Sequence, residues 1–309
     1  MLGLVKPRFE FGKRVAISLL ALLVVLGGVA CAPRASTGKL KVVATIFPLA
    51  DFVKNVAGDK AEVITLLPAG ASPHTWEPLP EQVQSVADAR LFFINGAGLE
   101  FWAEKVVKAA ASSDLVVVDT SMMALMEGAL LTGEGDEQGG VNPHIWLDPV
   151  LAQKQVEAIA AALVIVDPAN RDVYIANAAA YVAELKLLDQ EIRDVTQDFS
   201  IREFITFHPS WTYFARRYGL VEAAVIEESP GQEPSPAYIQ QVVDLARGLK
   251  VKGIFAEPQF SPKAAETIAA ESGAEVLSLD PIGGADLPGR DSYINLMRYN
   301  LDQMKQAMQ

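Results

Sequence analysis

What this chain has little of narrows its chemistry first. One of its 309 residues is cysteine, Cys31, so no internal disulfide can hold the fold and stability rests on the core. Basic residues are in deficit: 26 Lys and Arg against 38 Asp and Glu leave a net charge of −12, the opposite of what nucleic acid requires. No HExxH or CxxC spacing, nucleophile motif or phosphate loop is present, so the local signatures of common enzymes are missing. Histidine is also scarce, with three copies at His74, His144 and His208. What is abundant is ordinary: half the residues are hydrophobic and 21% charged, a globular composition whose length suits two domains.

The first 30 residues read as an export signal. Lys6, Arg8, Lys13 and Arg14 precede an uncharged run over residues 15–30. That run is shorter than the ~20 residues a spanning helix needs. Gly28-Val29-Ala30 then leads into Cys31, which resembles a bacterial lipoprotein signal with Cys31 as the lipidated residue, although Gly28 stands where such signals usually carry leucine. Residues 31–38 form a small, polar tether to the membrane. Cleavage at Cys31 leaves 22 basic and 37 acidic residues, a net charge of −15.

Beyond the tether, short apolar strands alternate with helices of about ten residues, which indicates βα units and parallel sheets. Strands are expected over residues 39–46, 61–67, 91–95 and 115–119, with helices over 47–57, 80–89, 99–111 and 149–166. The pattern lapses over 120–142, where residues 133–140 form a Gly-rich acidic surface loop. Asp167-Pro168 then opens a long helix to about residue 199, with Asp167 as cap and no Gly or Pro between residues 169 and 199. At 1.5 Å per residue it is roughly 48 Å long, a strut between two domains. Strands recur at 203–207, 221–226, 253–256 and 275–279, with helices over 210–218, 237–249 and 262–272 and from 292. The expected organisation is an N-terminal βα domain over 39–166, a linker helix over 167–199 and a C-terminal βα domain over 200–309.

Each histidine lies next to proline, with a tryptophan two or three residues later: Pro73-His74-Thr75-Trp76, Pro143-His144-Ile145-Trp146 and His208-Pro209-Ser210-Trp211. All three fall in loops or at strand ends. Asp280 also follows a strand directly. Ligands of open α/β sheets bind beyond the carboxyl ends of the strands. Facing sheets place His74 and His144 on one wall of a cleft, and His208 and Asp280 on the other. Three imidazoles and a carboxylate make a four-coordinate site that zinc favours. Imidazole suits other late metals as well, whereas oxygen-rich sites favour manganese. Trp76, Trp146 and Trp211 are expected as apolar walls. Glu77 and Glu228 are carboxylates near the ligands or solvated charges, and Glu257 either faces the cleft or does not.

Ser72-Pro73-His74, the run Asn142-Pro143-His144-Ile145-Trp146-Leu147-Asp148-Pro149, Thr206-Phe207-His208-Pro209, Phe255-Ala256-Glu257-Pro258-Gln259-Phe260 and Leu279-Asp280 together resemble the metal-binding solute-binding lipoproteins of ABC importers, in particular the zinc-uptake, ZnuA-like group of cluster A-I. The resemblance implies an α/β fold of two βα domains joined by one long rigid helix, with the metal site in the cleft. It implies His74, His144, His208 and Asp280 as ligands, Zn2+ as transported cargo rather than Mn2+, and a permease with a cytoplasmic ATPase as partner. It implies an extracytoplasmic, membrane-anchored protein that is not an enzyme. A manganese receptor, a surface adhesin and a zinc hydrolase are the alternatives. Zinc members often carry a His-rich loop before the second ligand; here residues 133–140 are acidic and contain no histidine.

Overall fold

A computed structural model describes residues 38–131 and 140–309. The signal, Cys31 and nearly all of the acidic loop lie outside the described residues. Strands form where β-branched and aromatic residues run together, and prolines and glycines punctuate them. The first half contains β1 (Leu40–Ala44), α1 (Phe47–Ala57), β2 (Ala61–Thr65), α2 (Pro80–Ala87), β3 (Leu91–Ile94), α3 (Ala103–Ala110), β4 (Val116–Asp119), α4 (Met122–Met126) and α5 (Pro149–Val166). After α6 (Arg171–Gln197) come β5 (Glu203–Thr206), α7 (Thr212–Tyr218), β6 (Val221–Val225), α8 (Pro236–Leu249), β7 (Gly253–Ala256), α9 (Lys263–Ser272), β8 (Glu275–Ser278) and α10 (Tyr293–Met308).

Each half is a four-stranded, wholly parallel sheet, ordered β2-β1-β3-β4 in the first and β6-β5-β7-β8 in the second. The two orders are the same, so each sheet has one point where the winding reverses, and loops after its strands converge there. Helices α2 and α3 contribute to a core on one face of the first sheet, where Val86, Trp102 and Val106 meet Val43 and Phe92. In the second half, Val242, Val243 and Ile268 of α8 and α9 pack with Ile205 and Ile254. A single larger core joins the halves through α1, α5, α6 and α10.

The long helix is shorter than expected. It spans 27 residues, about 40 Å, and a separate 3-10 turn at Pro168–Asn170 precedes it. Asp167 does not cap it, because its carboxylate accepts from Tyr174 Oη at 2.6 Å and Asn170 Nδ2 at 2.7 Å. Tyr174, Ala178, Tyr181, Leu185, Leu188 and Ile192 form its buried stripe at alternating steps of four and three. Near its start, Asn177 donates to the Val56 carbonyl and Tyr181 to Asp51, both on α1. Toward its end, Asp189 accepts from Tyr218 and Glu191 pairs with Arg298. The helix thus grips one half with each end, as a strut must. The five-residue α4 was not expected from the sequence: it has no side-chain cap and lies where the apolar pattern lapses.

Candidate metal centre

The three histidines meet. His74 lies in the loop after β2, His144 opens a 3-10 turn at Ile145–Leu147 before α5, and His208 follows β5 by two residues. His74 Nε2 stands 3.0 Å from His144 Nε2, which stands 3.1 Å from His208 Nε2. Zinc–nitrogen bonds of 2.0–2.1 Å at tetrahedral angles separate ligand nitrogens by about 3.3 Å, so this spacing is close to that of a metal site. Among the described residues these three form the one group of His, Cys, Asp or Glu donors placed to share a metal ion.

The far side of each ring decides what the near side can do. Asn142 Oδ1 accepts from both the His144 backbone N–H at 3.0 Å and His144 Nδ1 at 2.9 Å. Glu257 Oε1 accepts from His208 Nδ1 at 2.8 Å. Oxygens of this kind accept, so both Nδ1 atoms carry a proton and both Nε2 atoms turn toward the other rings, where a neutral imidazole offers its lone pair. Neutral rings so placed bring their lone pairs to one point, where a shared proton or a metal cation is favoured.

Burial and the nearby His208 hold the His74 imidazole far below its ordinary 6.5, at about 3. Burial, with His208 and His74 beside it, holds His144 well below 6.5 too. Weakening of metal binding by protonation of these two rings therefore sets in well below pH 6.5, rather than at it. For stability the sign is the same as for any depressed group: the unfolded chain takes up protons below 6.5 that the folded chain refuses. Their contribution is complete above pH 6.5 and is lost as pH falls toward 3. Long-range 1H–15N spectra of metal-free protein at pH 5 are expected to show neutral His74 and His144 rings; two imidazolium patterns would refute this.

The other expected site residues divide. Trp146 lines the pocket, with its ring centroid 5.3 Å from that of His144, and Glu257, Gln259, Phe260, Pro281 and Ile282 line it as well. Trp76 packs edge-on against Trp102 at 4.9 Å, and Trp211 against Phe214 at 5.5 Å, so these two are packing residues away from the pocket lining. Glu77 and Glu228 are exposed. Asp280 is buried but does not join the histidines; its carboxylate accepts from Gln259, Arg290 and two backbone N–H groups.

The segment before α5 also ties the two halves together: Asn95 Nδ2, just after β3, donates to the Pro143 carbonyl at 2.8 Å. The segment carrying His144 belongs to the first half by sequence and is bonded to the second as well. Asn142 Nδ2 donates to the Pro209 carbonyl at 2.8 Å, and Trp146 Nε1 to that of Pro281 at 2.7 Å. Arg217 grips Asp148 through two nitrogens at 2.6–3.0 Å. Asn142 carries two of these roles and had no assignment from sequence. Its sequence signals are its place two residues before a candidate ligand and at the head of the run Asn142 to Pro149 that carries the resemblance.

Comparison with known proteins places this geometry. A family model described as zinc-uptake complex component A, periplasmic (ZnuA), matches residues 42–307. The chain is 36% identical over 280 residues to the high-affinity zinc uptake system protein ZnuA of Bacillus subtilis, covering 87% of this chain and 88% of that one. It is 31% identical over 301 residues to the manganese-binding lipoprotein MntA of Halalkalibacterium halodurans, covering 94% and 97%. Among solved structures, a zinc-bound ZnuA deletion mutant aligns with a TM-score of 0.78 at 35% identity, covering 88% of this chain and 98% of that one.

Proposed function

The chain belongs to the ZnuA family, the metal-binding solute-binding proteins of ABC importers, and from that membership we propose that it is a receptor whose cargo is Zn2+, held by the Nε2 atoms of His74, His144 and His208. The observation that carries the reading is the convergence of the three Nε2 atoms, 3.0 and 3.1 Å apart, with the Nδ1 atoms of His144 and His208 held from behind by Asn142 and Glu257. Because similar proteins are named for zinc and for manganese, the choice between them rests on the donor atoms. Three imidazole nitrogens suit zinc and other late metals, whereas manganese prefers oxygen.

Catalysis has no part in this reading. Glu257, the carboxylate that lines the pocket, accepts through Oε1 from His208 Nδ1 and so serves to orient that ring. The receptor delivers its ion to a membrane permease driven by a cytoplasmic ATPase. Cys31 supplies a lipid anchor on the outer side of the membrane, with the acidic chain held near the surface by residues 31–38.

The test is a competitive titration of the purified full-length chain in detergent with Zn2+ and Mn2+. One zinc per chain, bound tighter than manganese, is expected, and the combined His74→Ala, His144→Ala, His208→Ala variant should bind none at the site. Stoichiometric binding that survives loss of all three rings would sink the ligand set, and tighter manganese would sink the selectivity.

A further inference from the structure

We propose that Arg290 sets the metal preference of this site by holding the Asp280 carboxylate away from the cargo. The inference rests on the three-histidine reading above. Asp280 is 1% exposed, and its neighbours Gln259, Pro281 and Ile282 line the pocket around the histidines. A second carboxylate, besides Glu257, therefore stands behind the residues that line the site.

Its lone pairs are nearly all taken. Oδ1 accepts from Gln259 Nε2 at 2.9 Å and from the backbone N–H groups of Ile282 and Gly283 at 3.0 Å each. Oδ2 accepts from Arg290 Nη1 at 2.8 Å. Three donors fill Oδ1, so Oδ2 is the oxygen a metal would use, and Arg290 already holds it. Three of the four donors are neutral. Arg290 alone brings a charge, and it alone can cancel that of Asp280.

The loop is built to deliver it. Residues 283–290 fold back so that Gly284 N–H donates to the Arg290 carbonyl at 3.2 Å, and Arg290 N–H donates to that of Leu287 at 2.9 Å. Gly283 has φ +70°, and a Cβ there would meet the Arg290 carbonyl at 2.8 Å, so this return needs glycine. The guanidinium also lies over the Tyr299 ring, 5.0 Å from its centroid. Held on two sides, Arg290 keeps Asp280 paired.

Its loss would leave a buried carboxylate without a counter-charge, a costly arrangement that a divalent cation in the adjoining pocket relieves. The added oxygen donor would favour manganese more than zinc, because manganese takes carboxylate oxygen in preference to further nitrogen.

The experiment is a Zn2+ and Mn2+ competition titration of full-length wild type, Arg290→Leu, Arg290→Lys, Asp280→Asn and the Arg290→Leu/Asp280→Asn double variant, with melting curves for each. Arg290→Leu is expected to shift the zinc-to-manganese affinity ratio toward manganese by about tenfold or more. Arg290→Lys should keep the wild-type ratio, and the double variant should restore it. Arg290→Gln carries the test if Arg290→Leu melts below the assay temperature. An unchanged ratio in the folded Arg290 variant overturns the proposal. So does a loss of zinc affinity of more than about tenfold in folded Asp280→Asn alone, which would make Asp280 a ligand in the native protein. Failure of the wild type to bind zinc would instead remove the reading beneath it.

Discussion

Replacing His144 with alanine will weaken zinc binding by roughly 10²- to 10⁴-fold. Apparent binding energies of structural zinc are about 10–16 kcal/mol over a full ligand set, so one imidazole of three stands for about 3–5 kcal/mol. His144 is the ring to choose because it is the middle of the triangle: its Nε2 lies 3.0 and 3.1 Å from those of the other two. It is also 2% exposed, so water cannot easily take its place without rearrangement. Glu257→Ala should cost less, about 10- to 100-fold, because it removes the partner of His208 Nδ1 and leaves the ligand itself in place. The ordering is the content of the prediction. Titration of both variants against a chromophoric chelator reads it directly, and a Glu257→Ala loss larger than that of His144→Ala would reverse the assigned roles.

Much of this arrangement was legible from residue patterns because it is written in local punctuation. Helices α1 and α5 begin at Phe47-Pro48 and Asp148-Pro149, where proline fixes φ at the first turn and removes a donor the helix does not need. Asp148 also caps α5 through the Val150 N–H. The strands follow from short β-branched runs, and the histidines from their places beside proline in loops and after strands. The parts that were not legible depend on which way a side chain points after the chain has folded. Asp167 looked like a helix cap, but Tyr174 and Asn170 compete for its oxygens and the first turn tightens into a 3-10 turn. The repeated tryptophans looked like three equivalent walls. In irregular backbone a residue two or three places on has no fixed direction, and Trp76 and Trp211 turn instead to Trp102 and Phe214. Arg290 was invisible for the same reason: ten residues of loop separate it from Asp280, and only the folded return brings them together.

Trp146, the tryptophan that does face the site, carries the second large effect. Trp146→Ala is expected to cost about 3–5 kcal/mol of stability, the range for emptying a buried aromatic position. For a chain of this size that corresponds to a fall in Tm of about 10 °C. The side chain is 0% exposed, and its loss would do more than leave a void. Its indole N–H reaches the Pro281 carbonyl at 2.7 Å, a bond that alanine cannot make, while its backbone carbonyl, which alanine keeps, accepts from Tyr293 Oη at 2.6 Å. The Tyr293 backbone N–H in turn donates to Asp51, which also accepts from Tyr181. One residue thus joins the His144 turn to the loop after β8 and, through α10, to α1 and α6. Trp146→Phe keeps most of the ring but strands the Pro281 carbonyl, so about 1–3 kcal/mol is expected there. Zinc affinity should fall in the same order, because the turn that sets the His144 to His208 spacing loosens as its ties are cut. Calorimetric melts of the metal-free variants separate the two effects. An alanine variant that melts within 2 °C of wild type, by the same scaling, would mean that the turn is held by Asn142 and Asp148 alone.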